Sequence, residues 1–179
     1  MKWTLAEARA HFFDCAWEQR KLGDVVDVRS GRDYKHLHEG NIPVYGTGGY
    51  MLSVDKALSE NEDAIGIGRK GTIDKPYLLR APFWTVDTLF YSVPKEHYDL
   101  NFVNYTFQRI HWKKYDESTG VPSLSKTTIN SVSVLTPNYE EQKKIGSIFS
   151  HFDILIALHQ RKLDHLKQLK KGLLQQLFV

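Results

Sequence analysis

Along residues 1–137 the apolar positions come in short runs broken by turn-forming residues, whereas from 138 onward they repeat at helical spacing with little interruption. The runs Asp24–Val28, Ile42–Tyr45, Ala64–Ile67 and Leu89–Val93 are rich in β-branched and aromatic residues, a composition that suits strands. Ser30-Gly31, Gly46-Thr-Gly-Gly49 and Gly120-Val-Pro122 punctuate them as turns. Helical spacing returns at 99–112, where Phe102, Tyr105 and Ile110 share a face, and a further helix is expected at about 4–12. The pattern predicts an α+β protein with a mixed body over 1–137 and a long helix over 138–179.

The tail has the plainer signal. After Pro137-Asn138 the chain runs to its end with no proline and two glycines, Gly146 and Gly172. Asn138 followed by Glu140 and Glu141 is a helix start: a capping side chain, then acids at the positive end of the dipole. Phe149, Phe152, Ile156, Leu163, Leu166, Leu173 and Leu177 alternate at three- and four-residue intervals, with His159 and Lys170 in the two remaining places. That is a coiled-coil seam with polar positions able to set register. A helix over 139–177 would be roughly 58 Å long at 1.5 Å per residue. Folding back on the body is the plain alternative, but a body of this size has a radius of gyration near ~14 Å, so the rod outruns it. Each large apolar side chain gains roughly 1.5–3 kcal/mol on burial. The stripe therefore calls for a partner helix.

Composition adds little to this. The 179 residues include 24 Lys and Arg against 21 Asp and Glu. Seven of those cations and four of the acids lie from Glu140 onward, which leaves residues 1–139 formally neutral. Charge by itself does not point to nucleic acid. Cys15 is the lone cysteine, which excludes an intramolecular disulfide and a thiolate-rich metal site and fits a reducing, cytoplasmic setting. No stretch approaches the roughly 18 consecutive apolar residues of a membrane span, and the first residues carry Glu7 and Arg9 where a signal peptide needs an apolar run.

Several motifs invite an enzymatic reading. Gly66-Ile-Gly-Arg-Lys-Gly71 spells a dinucleotide-binding fingerprint after a strand-like run. That chemistry needs a helix N-terminus to receive the pyrophosphate, and Thr72, Ile73 and Pro76 follow instead, so structural glycines in a turn explain it better. His36 and His38 with Asp33 fall short of the donor set of a zinc site. His151, His159 and His165 are spread along the tail helix as seam or surface residues. Glu60, Glu62 and Asp63 suit a solvated loop better than a nuclease centre. Neither a nucleophile elbow nor a phosphate-binding P-loop is present. The expectation is a protein without catalytic residues, bound metal or cofactor.

Three stretches, read in order, identify a family. They are Trp17-Glu-Gln-Arg-Lys-Leu-Gly-Asp24; Gly68-Arg-Lys-Gly-Thr-Ile73 with Phe83-Trp84 and Asp87-Thr-Leu-Phe90; and Ser118-Thr-Gly-Val-Pro-Ser-Leu-Ser-Lys126 with Pro137-Asn-Tyr-Glu-Glu-Gln-Lys-Lys-Ile145. Their order and spacing over residues 17–179 resemble the DNA-specificity subunits of type I restriction–modification systems. The resemblance implies a target-recognition domain of mixed α/β structure that reads half of a split double-stranded DNA site. It also implies a long helix that pairs antiparallel with another, measures the gap between half-sites and docks methyltransferase subunits, with the restriction subunit joining indirectly. Family members usually carry two recognition domains; this chain has room for one and one helix. It therefore reads as a half-subunit that dimerises or as part of a longer gene, and Phe12-Phe-Asp-Cys-Ala-Trp17 looks like the run-in to a second recognition domain. Two copies about a two-fold axis imply an interrupted palindrome. The alternative is a truncated interaction module that binds methyltransferase through its helix without reading DNA.

Base readout needs donors and acceptors on projecting loops, and phosphates need cations, hydroxyls or amides. The candidates are Arg32, Tyr34, Lys35 and His36 in the first loop; Tyr45 and Thr47 in the glycine-rich turn; Arg69, Lys70, Thr72 and Lys75 in the third; and Ser118, Thr119, Ser123 and Lys126 in the fourth. Arg69 can pair with guanine or hold a phosphate, and any one of these cations can equally be a solvated surface residue.

Overall fold

The computed structural model describes residues 17–178. The central sheet follows from runs that are apolar at every position rather than at alternate ones. Strands β5 (Ala64–Gly68) and β8 (Leu89–Pro94) are buried on both faces, as residues inside a three-layer stack must be. They lie between β2 (Val26–Ser30) and β6 (Tyr77–Leu79) in the antiparallel order β2-β8-β5-β6.

Alternation along the strands divides their side chains between two cores. Ile65, Ile67 and Phe90 face one way, with Val26 and Val28, onto a cluster that includes Phe102, Val103, Phe107, Trp112 and Ile129. Ala64, Leu89, Tyr91 and Val93 face the other way, onto Val44, Val54, Phe83 and Trp84. The first cluster brings in helix α2 (Leu100–Arg109) and short helix α3 (Lys126–Ser131); the second brings in a three-stranded sheet. That sheet has the order β4-β3-β7, with hairpin β3 (Glu39–Gly46) and β4 (Gly49–Val54) antiparallel and β7 (Trp84–Thr85) parallel to β3. Strand β1 (Glu18–Lys21) pairs antiparallel with β9 (Ser133–Thr136), so the start and the end of the body meet.

Two details differ from the sequence pattern. Asp24 and Val25 belong to a helical turn, α1 (Leu22–Val25), because Leu22 and Val25, three residues apart, are both driven into the core. The helix expected over 99–112 stops at Arg109, and Trp112 enters a 3₁₀ turn (Trp112–Tyr115) where its indole Nε1 donates to the Phe107 carbonyl at 2.8 Å. The helix expected at 4–12 lies outside the described residues. Helix α4 runs from Tyr139 to Leu177, 39 residues, with the Asn138 side chain accepting from the Glu141 amide at 2.9 Å. Its first turns are buried against the body at Glu141, Gln142, Ile145 and Gly146, Phe149 and Asp153 reach Tyr105 of α2, and the rest of the helix runs on exposed. Among the described residues no helix is long and apolar enough to cross a membrane.

Candidate nucleic-acid interface

Loops are placed by what their backbones bond to. The segment Thr85–Thr88, from the end of β7 to the start of β8, is the hub: its carbonyls and amides receive three of the four candidate loops. Arg32 N donates to the Thr85 carbonyl at 2.8 Å, Val86 N donates to the Tyr45 carbonyl at 3.0 Å, and Arg69 N donates to the Thr88 carbonyl at 2.8 Å. The fourth loop reaches the third directly. Lys70 and Ser123 form an antiparallel bridge, Gly71 N donates to Pro122 O at 2.8 Å, and Leu124 N donates to Arg69 O at 3.0 Å. The hairpin turn is tied in by the Tyr77 hydroxyl, which donates to the Gly46 carbonyl at 2.6 Å, and burial raises that phenol well above its ordinary pKa. Residues up to 94 positions apart in sequence, from Arg32 to Lys126, thus border one connected set of loops.

The glycine motif acts sterically. A Cβ at Gly68 would be driven into the Thr72 carbonyl oxygen, so the chain can fold back sharply after β5 only with glycine there. A loop and then strand β6 follow, which leaves no helix N-terminus for a pyrophosphate.

Arg29 pairs with Asp27 and Glu62, Arg80 with Asp63, and Lys113 with Asp74. Arg32, Lys35, Arg69, Lys70, Lys75 and Lys126 make no ion pair among the described residues, which include Asp33 and Asp87 beside them. Arg69 is aimed rather than loose: its guanidinium lies 5.9 Å from the Phe90 ring centroid, and Lys126 Nζ lies 6.0 Å from the same ring. Both cations, with Ser30, Lys70 and Ser123, line a cleft of about 430 Å³. A second cleft, about 690 Å³, lies between Tyr34, Lys35 and His38 on one side and Tyr50 to Val54 of β4 on the other.

The structure also ranks the other candidates. Thr119 and Lys75 are exposed, and Thr47 and Thr72 are half-buried. Tyr45 is half-buried between Tyr50 and Tyr77, with ring centroids 6.4 and 6.1 Å away, so the open aromatic of that hairpin is Tyr50. His36 packs edge-on to Trp84 at 5.9 Å. Together with His38 and Asp33 it builds no metal centre, since no group of three or more potential ligands gathers among the described residues.

Three contributors escaped the sequence reading. Phe90 is the platform under two cations. Asp116 shapes the fourth loop: its carboxylate accepts from the Ser123 and Ser118 amides at 2.9 and 3.0 Å, which hold its pKa below the ordinary carboxylate value. Ser125 caps α3 by accepting from Thr128 N at 3.0 Å. An Asp two residues before a Ser-Thr-Gly turn was a readable signal for the second; the first needed the fold.

On helix α4 the expected seam is bare. Phe149, Phe152, Ile156, Leu163, Leu166, Leu173 and Leu177 are 46–73% exposed, and His159 is exposed beside them. Ile148, Ile154, Leu155 and Leu158 lie off that seam and are exposed too.

Cation-bearing loops on a three-layer α+β body with a protruding helix describe the architecture, and comparison with known proteins defines the family. The family model described as the type I restriction modification DNA specificity domain matches residues 16–168, and the chain belongs to that family. It is 25% identical to the type I restriction enzyme MjaIX specificity subunit of Methanocaldococcus jannaschii, over 91% of this chain and 44% of that relative. To the MjaVIII specificity subunit of the same organism it is 35% identical over 67 residues, 37% of this chain and 16% of that one. The chain thus spans less than half the length of these relatives. The fold is shared with a crystal structure of the type I S subunit from M. genitalium, at TM-score 0.68 and 19% identity over 79% of this chain and 40% of that one. It is shared also with a chain from a study of complex assembly of the type I system, at TM-score 0.70 and 16% identity over 88% and 43%.

Proposed function

We propose that this chain is one DNA-reading half of a type I specificity subunit, that it carries no reaction itself, and that two copies pair through α4 to address a bipartite site in double-stranded DNA. Residues 1–137 form the reading unit and 138–179 the spacer. The observation that carries this is the gathering of four separate cation-bearing loops by backbone bonds, with Arg69 and Lys126 both set over Phe90. Cations gathered on one set of loops without carboxylate partners are open to a polyanion such as DNA.

Roles follow from side-chain chemistry. Lys35, Lys70, Lys75 and Lys126 are point charges suited to phosphates, and Ser118, Thr119 and Ser123 add hydroxyls and amides to the same backbone. Arg32 and Arg69 carry planar forks that grip phosphate oxygens and are of the shape that also suits guanine O6 and N7. Tyr34, His36, Tyr45, Thr47 and Thr72 complete the reading surface. On the helix, one partner helix covers the seam from Phe149 to Leu177. The off-seam residues Ile148, Ile154, Leu155 and Leu158 remain for a second partner, and the methyltransferase subunit is assigned there, with the restriction subunit bound through it.

Selection from a random duplex library with the purified chain tests this. Enrichment of one sequence, with binding that falls steeply with salt, is the expected result. Salt-steep binding without enrichment contradicts sequence reading. No DNA binding together with retained capture of methyltransferase leaves only the interaction-module reading.

A further inference from the structure

Helix α4 leaves the body along a fixed line, and two separate contacts set that line. The near contact is at its start. Gln142 is buried, accepts from Asp99 N and donates to the Pro137 carbonyl, each at 3.0 Å, while Glu141 accepts from the Trp17 indole at 3.0 Å. Gly146 lets the helix backbone lie against the N-terminus of α2, since a Cβ there would meet Asp99 Oδ1 and come within 2.9 Å of Phe102 N.

The far contact lies two turns on. The Tyr105 hydroxyl, from the second half of α2, donates to Asp153 Oδ2 at 2.6 Å. Its ring rests on Phe149, with centroids 5.2 Å apart at 43°. Burial and the Asp153 carboxylate raise the phenol to about 12, so it stays a protonated donor. Gly146 alone is a pivot, and Gly146 with Asp153 is a line. From Gly146 to Leu177 the helix extends roughly 46 Å at 1.5 Å per residue. A swing of about 10° would move its end by roughly 8 Å, more than two base-pair steps of about 3.4 Å.

We propose that the Tyr105–Asp153 hydrogen bond is a positioning brace that fixes the angle between the recognition body and α4, and so fixes the number of base pairs allowed between two half-sites. The proposal rests on the reading of α4 as the spacer of a paired DNA reader. Tyr105 and Asp153 touch no DNA; they act through the rod.

The experiment measures binding of the full chain to duplexes carrying two selected half-sites at the preferred gap and at gaps one and two base pairs shorter and longer. The wild type discriminates among gaps. Tyr105→Phe and Asp153→Ala each lower that discrimination by about ten-fold, the low end for loss of a hydrogen bond to a charged group, while affinity for a duplex with a single half-site is unchanged. Asp153→Asn keeps an acceptor oxygen and retains most of the discrimination. Asp153 is an exposed residue, so its variants test the brace even where Tyr105→Phe folds poorly. Undiminished gap preference in both Tyr105→Phe and Asp153→Ala overturns the brace alone. A parallel loss of half-site affinity makes the bond merely structural and overturns it too. A wild type indifferent to the gap overturns the brace together with the spacer reading.

Discussion

Removing the side chains of Arg69 and Lys70 should change how DNA binding responds to salt, and the size of the change follows from the loop cations. Six per chain are unpaired, so two chains offer twelve to phosphates. With a slope of about −0.9 per phosphate neutralised, log binding against log salt should fall with a limiting slope of about −11. Arg69→Ala with Lys70→Ala removes four of the twelve, so the slope should become about −7. Both residues are exposed, and the contact of Arg69 with Phe90 is worth roughly 0.5–1 kcal/mol, so the fold survives. Fluorescence anisotropy on a labelled duplex across a four-fold range of salt measures the slope, with circular dichroism confirming the fold. A slope unchanged from wild type would show that these cations do not meet phosphate and would remove the loop from the interface.

Other consequences are as direct. Leu163→Asp with Leu166→Asp should convert a dimer to a monomer by light scattering, because each side chain gains roughly 1.5–3 kcal/mol on burial and each change occurs twice in a two-fold pair; an unchanged mass would contradict the seam. Gly68→Ala should lower the urea midpoint by an amount equivalent to roughly 1–3 kcal/mol or more, through overlap with the Thr72 carbonyl. Gly48→Ala, with open space around it, should be nearly neutral, and equal effects would refute the steric role. The Asp116 carboxyl is held below its ordinary pKa by two amides, so its contribution is present above the unfolded value and is lost as pH falls through the lower folded one. Hydrogen exchange at Ser118 and Ser123 should therefore accelerate as pH drops below 3.8 after correction for intrinsic rates, and constant protection would contradict the loop's dependence on that carboxylate.

How much could be read in advance varied with the range of the forces involved. Helix α4 was legible because its cap and its seam are local: Asn138, two acids and a three–four repeat need no tertiary information. Strands β5 and β8 were legible from unbroken apolar runs. Strands β6, β7 and β9 have three, two and four residues and exist only because longer strands accept them. Leu22 and Val25 became a helical turn because the core required both, although β-branched neighbours favoured a strand. The candidate loops are loops in the main, although Tyr45 ends up in β3 and Lys126 opens α3; their union was not visible, since it depends on bonds such as Gly71 to Pro122 and Val86 to Tyr45 across long stretches of chain. Phe90 read as an ordinary strand residue until two cations were seen above it.

The central claim, that this chain tells a methyltransferase where to act, is tested most directly by modified-base sequencing. The genome of cells expressing the methyltransferase subunit is sequenced with and without this chain. Methylated interrupted palindromes present only with the chain are the predicted result, and their sequence would give both half-site and gap. A methylation pattern identical in the two samples would contradict DNA reading and leave the exposed helix as an interaction surface alone.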